Sequence, residues 1–294
     1  MKFALHFASN TFPDPDGAKR VARLAEAAGF DSIFTVDHVV WPTNYTSVYP
    51  YGPTGRLPGK PSTRMPDPLI WMAFVASATT TLRQMSAVII LPQRNPLVLA
   101  KEVATLDYLS GGRIELGIGV GWLKEEFAAV GVPFERRGKR ADEYIAAMRA
   151  LWASDDASFA GEFVNFSGVS CNPKPVRGSV PIVIGGHTEA AAKRAGRLGD
   201  GFFPSIGAQV DVMPLLDVVQ RAAAAAGRDP AAIELITGCP GALPTSGVDP
   251  HAAVEERIKR GVRRIAVPVT AFMPNLEETL PRFAETVIRP FAGA

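Results

Sequence analysis

The sequence predicts an α/β fold, a single (β/α)8 TIM barrel with insertions after its second and fourth strands, and three observations carry that expectation. Short apolar, β-branched runs alternate with longer segments of helical period from one end of the chain to the other, as parallel βα units require. The alternation resolves into eight strand–helix pairs. The chain has 294 residues, a modest excess over the roughly 250 of a plain barrel, which leaves room for insertions. An open doubly wound sheet with a second domain is the competing architecture, but no linker interrupts the pattern. Residues 1–294 therefore read as one barrel domain.

Each element has its own signal. Lys2–Ala8 is the first strand. A helix over Ala18–Ala28 follows, with Val21, Leu24, Ala25 and Ala28 at helical spacing and Gly29 as its stop. Asp31–Val36 is the second strand. The stretch near 41–66 (Trp41–Pro66) has no helical period and is dense in Pro, Gly and Tyr; loops of that length are functional or mobile. Helix Pro68–Thr79 leads to strand three, Gln84–Leu91, and helix Pro96–Leu109 to strand four, Arg113–Gly119. Helical patterns at Leu123–Val130 and Arg140–Ala153 are separated by Gly131 and Pro133. Residues near 159–175 (Phe159–Pro175) alternate like an inserted β-hairpin. Pro181–Ile184, a helix to Leu198, Gly201–Pro204, Val212–Ala226, Ile233–Thr237, Ala252–Lys259, Ile265–Val269 and Leu276–Ile288 complete the alternation.

Composition narrows the function classes. Apolar residues make up 47% of the chain and charged ones 20%, an ordinary globular balance with ample core. The formal charge is +2, with Lys and Arg scattered rather than clustered, which argues against nucleic-acid binding. Cys171 and Cys239 read as reduced, packed thiols. The start, MKFALHFASN, reads as a strand and not a signal peptide, and no apolar run approaches the roughly 20 residues of a membrane helix. A soluble, cytoplasmic protein without membrane or nucleic-acid partners is the expectation.

Active sites of such barrels lie on the loops that follow the strands. Strand two ends in Asp37-His38, an acid beside a group that titrates near neutrality. Strand four ends in Gly117-Ile118-Gly119-Val120-Gly121-Trp122, where glycines allow close approach of backbone to a ligand; Trp122 breaks the dinucleotide fingerprint G-x-G-x-x-G. Strand five ends in Gly185-Gly186-His187-Thr188, which suits either an anion at a helix N-terminus or a simple cap with Thr188 as N-cap. Glu125 and Glu126, at the start of the next helix, read as complements to its dipole. Tyr45, Tyr49 and Tyr51 place aromatic weight in the long loop, either as a closing lid or in a mobile spacer. No metal-ligand cluster stands out.

Taken in order, AxxxGFDSIFTVDH, SAVIILPQRNPLVLAKEVATLDYLSGGRIELGIGVGW, FxGEFVNFSGVSCNPKPV and VPIVIGGHTEAAAKRAGRLGDGFFP resemble the bacterial luciferase-like monooxygenase superfamily, and within it the actinobacterial branch of F420-dependent oxidoreductases. The resemblance spans nearly the whole chain. It implies that His38 is the active-site histidine and a cofactor contact, with Asp37 orienting it or hydrogen-bonding the cofactor. It implies a non-proline cis peptide at Ala87-Val88 against the cofactor's central ring, Gly119 bordering the cofactor, and Gly185, Gly186, His187 and Thr188 around its phosphate. Asn10, Trp41 and Trp122 are the candidate substrate-pocket residues. Related sugar-phosphate dehydrogenases carry an acid where this chain has Trp122, and another in the loop after strand one, where this chain reads Ala8-Ser9-Asn10-Thr11; sugar-phosphate oxidation is therefore not implied. The resemblance implies coenzyme F420 with an unspecified small-molecule substrate, FMN being the alternative cofactor, and a homodimer. A non-catalytic cofactor-binding protein and a phosphate-binding isomerase are the other readings; the isomerase has no obvious carboxylate base after a strand.

Overall fold

A computed structural model describes residues 1–204 and 211–293. Eight parallel strands close into a ring: β1 (Lys2–His6), β2 (Ser32–Thr35), β3 (Arg83–Ser86), β4 (Ile114–Gly119), β5 (Ile182–Gly185), β6 (Gly201–Phe203), β7 (Glu234–Gly238) and β8 (Val262–Pro268). Closure comes from the pairing of β8 with β1 and of β3 with β4. Strand three, continuous in the sequence pattern, is interrupted: the Ala87–Val88 peptide is cis, and Ile89–Ile90 resumes pairing with β4. The expected cis bond is thus present at the expected place.

Helices α1 (Pro15–Ala27), α2 (Pro68–Ala78), α3 (Pro96–Ser110), α4 (Lys124–Ala129), α5 (Arg137–Ala153), α6 (Glu189–Leu198), α7 (Met213–Ala225), α8 (Pro250–Lys259) and α9 (Leu276–Phe283) surround the strands. Several start with the same device. Asp14, Asp67, Asn95 and Asp249 each accept a backbone N–H of the first turn, and a proline follows as the first helical residue. The side chain satisfies an orphan donor, while proline fills the position where its missing N–H is harmless. The expected hairpin is an antiparallel pair, Ala157–Ala160 with Asn165–Val169. The expected final helix departs from regular form at Ala284–Ile288, which is a π-turn following Pro281. Among the described residues no helix is long and apolar enough to cross a membrane.

Side chains of a strand alternate in direction, so the barrel interior can be read in layers. At the N-terminal end, fully buried Arg264 pairs with Glu115 and Glu234 and donates to Ser32. Burial alone would raise the Glu115 carboxyl, but Arg264 and Arg83 outweigh it and hold it at about 2. Above lies an apolar layer of Ala4, Phe34, Met85, Val183, Ile236 and Ala266. The ion network and this layer plug the barrel from below, leaving the C-terminal mouth as the place for a ligand.

Candidate active site

His38 follows β2 and is held by a residue from the far side of the chain. Its Nδ1 lies 3.0 Å from Glu126 Oε2, with the Glu126 side chain 2% exposed and that of His38 12%. Glu126 Oε1 also accepts the N–H groups of Val39 at 2.7 Å and Val40 at 3.3 Å. One carboxylate therefore fixes both the imidazole and the turn that carries it. With Nδ1 engaged by the carboxylate, Nε2 is the ring nitrogen left for a ligand. That is a group able to take or return a proton.

One expectation is extended and another corrected. Glu126 lies in the first turn of α4 as expected, and the turn from β4 into α4 also buries it against His38. Asp37 does not orient His38. Its carboxylate accepts from Arg94 Nη2 at 3.0 Å and from the Ile90 N–H at 3.3 Å, and burial pushes the carboxyl upward against the pull of Arg94. Arg94 also bonds Asp67, whose other oxygen caps α2. Asp37 thus ties the loop after β2 to the one after β3.

Ala87 and Val88 are half-buried, between buried Ser86 and buried Ile89. The glycines of β4 and β5 accommodate Val88: a Cβ on Gly119 would come within 2.7 Å of Val88 Cγ2, and one on Gly185 within 2.6 Å of Val88 Cγ1. Both glycines are required by this protein contact, whatever ligand lies above them. Thr188 is the N-cap of α6, its hydroxyl accepting from the Ala191 N–H at 3.2 Å. Gly186 takes a φ of +122°, and the His187 Nδ1 is buried without a partner.

The long loop folds across the mouth. Trp122 meets the rings of His38, Tyr45 and Tyr49 edge-on, at centroid distances of 6.2, 6.0 and 5.3 Å. Tyr51 meets His187 at 4.8 Å and Tyr49 at 5.4 Å. Burial raises the Tyr49 hydroxyl to about 12. Glu125 fastens the loop, accepting from the backbone and hydroxyls of Thr46 and Ser47 at 2.6–3.2 Å. From the first turn of α4, where it also complements the helix dipole, it acts as a tether. Trp41 lies apart from this group, its ring edge against Gly59 within the loop. Asn10 sits in the turn after β1 with its Oδ1 buried and unpartnered.

The residues that sequence reasoning missed are Glu125, Glu126 and Arg94. The first two were visible as paired acids just after a strand, which is where barrel sites are built; their different partners were not visible. Arg94 lies in the PQRNP run and gave no separate signal.

A closed parallel barrel with a carboxylate–histidine pair and an aromatic cluster at its C-terminal mouth has the layout of a barrel enzyme. Residues 2–286 match the luciferase-like monooxygenase family, and the chain belongs to it. An uncharacterized protein of Mycobacterium tuberculosis is 36% identical over 209 residues, covering 71% of this chain and 74% of that one. The FMNH(2)-dependent dimethylsulfone monooxygenase of Pseudomonas fluorescens is 29% identical over 213 residues, 71% of this chain and 53% of its own. Among solved structures, monooxygenase RslO1 from Streptomyces bottropensis superposes with a TM-score of 0.77 at 26% identity, covering 99% of this chain and 100% of its own. The coenzyme F420-dependent tetrahydromethanopterin reductase of Methanopyrus kandleri has the same TM-score at 17% identity, covering 99% of each chain, a likeness of fold.

Proposed function

We propose that this protein is an F420-dependent oxidoreductase that moves a hydride between the deazaflavin C5 and a small organic substrate. The observation that carries the reading is the His38–Glu126 pair at the mouth, on the same end of the barrel as half-buried Ala87 and Val88. The cofactor supplies the redox chemistry, and the protein supplies binding, orientation and exclusion of water. His38, anchored at Nδ1, holds or moves a proton at Nε2. Ala87, Val88 and Gly119 would border the ring system, and Gly185, Gly186, His187 and Thr188 its phosphate. The unpartnered His187 Nδ1, Asn10 Oδ1 and Gln93 side-chain amide are polar atoms that a bound group would satisfy, since buried polar atoms normally have partners. Tyr45, Tyr49, Tyr51 and Trp122 would cover the site and shape an apolar substrate pocket.

A deazaflavin is preferred over FMN because the ordered motifs from TVDH to GGHTE resemble the F420-using branch. The FMN reading has its own support in the FMNH(2)-dependent relative. Fluorescence titration of the purified protein with F420 and with FMN separates the two. Saturable F420 binding, weakened or made unproductive by His38→Ala, is the expected result. Tight FMN retention together with oxygen consumption on reduction would overturn the deazaflavin assignment, and binding with unaltered turnover in His38→Ala would remove the histidine from the chemistry.

A further inference from the structure

The last inward-facing residues of the strands form the floor of the mouth. Strand alternation assigns to it Ala87, Gly119, Gly185 and Gly238, which contribute almost no side chain, and the apolar Phe203 and Pro268. On β1 the corresponding residue is His6, two positions beyond the interior residue Ala4. It is the one polar side chain of this set. It is 4% exposed, and its neighbours are aromatic: Phe7 stacked at 3.9 Å, Phe203 edge-on at 5.4 Å and Phe34 edge-on at 5.9 Å. Its Nδ1 is buried with no partner, and no bond engages Nε2 among the described residues. Buried polar groups in folded proteins are almost always hydrogen-bonded, so a buried Nδ1 without a partner points to something that binds there.

We infer that His6 is a substrate-recognition residue, which hydrogen-bonds an uncharged oxygen, hydroxyl or carbonyl, on the end of an organic substrate that reaches the floor of the mouth. This deepens the oxidoreductase reading and rests on it. Position favours substrate over cofactor: β1 stands four strands from β5 in the ring of eight, opposite Gly185 and the turn after it. Surroundings favour an uncharged group. No charged side chain belongs to the floor set, and a carboxylate or phosphate desolvated among three phenyl rings would have no counter-charge. Burial holds the imidazole near a pKa of about 3, so it is neutral at physiological pH. A neutral imidazole offers one donor and one acceptor, which serves a carbonyl and a hydroxyl alike.

The test uses four matched probes, cyclohexanone, cyclohexanol, methylcyclohexane and cyclohexanecarboxylate, titrated against the F420-loaded and the cofactor-free protein. Binding is followed by the ring nitrogen resonances of His6, assigned by their absence in His6→Phe. The ketone and the alcohol are expected to shift these resonances and to bind at least about fivefold tighter than the hydrocarbon, the factor that one hydrogen bond supplies; the carboxylate is expected not to bind. His6→Phe, which keeps the aromatic packing, should abolish that preference and leave F420 affinity within about twofold, and His6→Gln should restore part of it. Equal binding of ketone and hydrocarbon, no binding of any probe, or a preference that survives in His6→Phe overturns the inference. A tenfold loss of F420 affinity in His6→Phe overturns it as well, by giving His6 to the cofactor. If wild-type protein fails to bind F420 at all, the cofactor reading fails, and the cofactor-free titration still decides the role of His6.

Discussion

Glu126 and His38, 88 positions apart in the chain, meet through Oε2 and Nδ1 at 3.0 Å. The carboxylate arrives on the turn after β4 and the imidazole on the turn after β2. Neither loop could hold the ring alone, because each contributes only one half of the bond.

Replacement of Glu126 by alanine leaves the Val39 and Val40 N–H groups and the His38 ring without their acceptor. Val39 and Val40 are exposed residues and these bonds are only part-buried, so water replaces part of what is lost. The expected loss is about 1–2 kcal/mol in chemical denaturation. A double-mutant cycle with His38→Ala should return a coupling of about 1 kcal/mol; a value near zero would mean that the pair does not hold the site together.

Glu125 acts on the loop instead. Its bonds to Thr46 and Ser47 are exposed or half-exposed, so Glu125→Ala should leave global stability within about 0.5 kcal/mol. Local opening should become easier. Limited trypsin digestion, which has sites at Arg56 and Arg64, is expected to cut the loop several-fold faster than in wild type. Unchanged cleavage would show that the aromatic contacts to Trp122 and His187 suffice.

Val88 sets the glycine requirement of β5. A methyl group on Gly185 would meet Val88 Cγ1 at 2.6 Å, so Gly185→Ala should destabilise by about 1–3 kcal/mol through overpacking. The contact partner is a side chain, and Val88→Ala removes it. The double variant Gly185→Ala/Val88→Ala is therefore expected to recover at least half of the loss in thermal unfolding. Absence of any recovery would place the conflict with the Ile118 carbonyl, 3.3 Å from the same added atom.

His6 makes the fold acid-sensitive. Its folded-state pKa is depressed to about 3 by burial, so below the ordinary histidine value of 6.5 the unfolded chain binds a proton that the folded chain refuses. Stability from this group is complete above pH 6.5 and falls as the pH drops towards 3. Between pH 7 and pH 4.5 the loss should be roughly 3 kcal/mol, at 1.36 kcal/mol per unit. The slope of unfolding free energy against pH over that interval should flatten in His6→Phe; an identical slope would assign the sensitivity to other groups.

Strand–helix alternation and the glycine-rich strand ends were legible in the sequence because they are local: periodicity acts within a few residues. The position of His38 at the mouth followed from the same counting, as did the interruption at Ala87–Val88 once the resemblance was recognised. Partner choice was not legible. Asp37 and Glu126 are both acids beside strand ends, and nothing in their spacing says that Arg94 takes the first and His38 the second. That assignment depends on loops separated by dozens of residues converging around a closed ring, where only three-dimensional proximity selects partners. The same holds for His6, whose sequence context is that of any first strand. Its isolation among aromatic rings, with its buried Nδ1 unpartnered, exists only because closure of the barrel surrounds it.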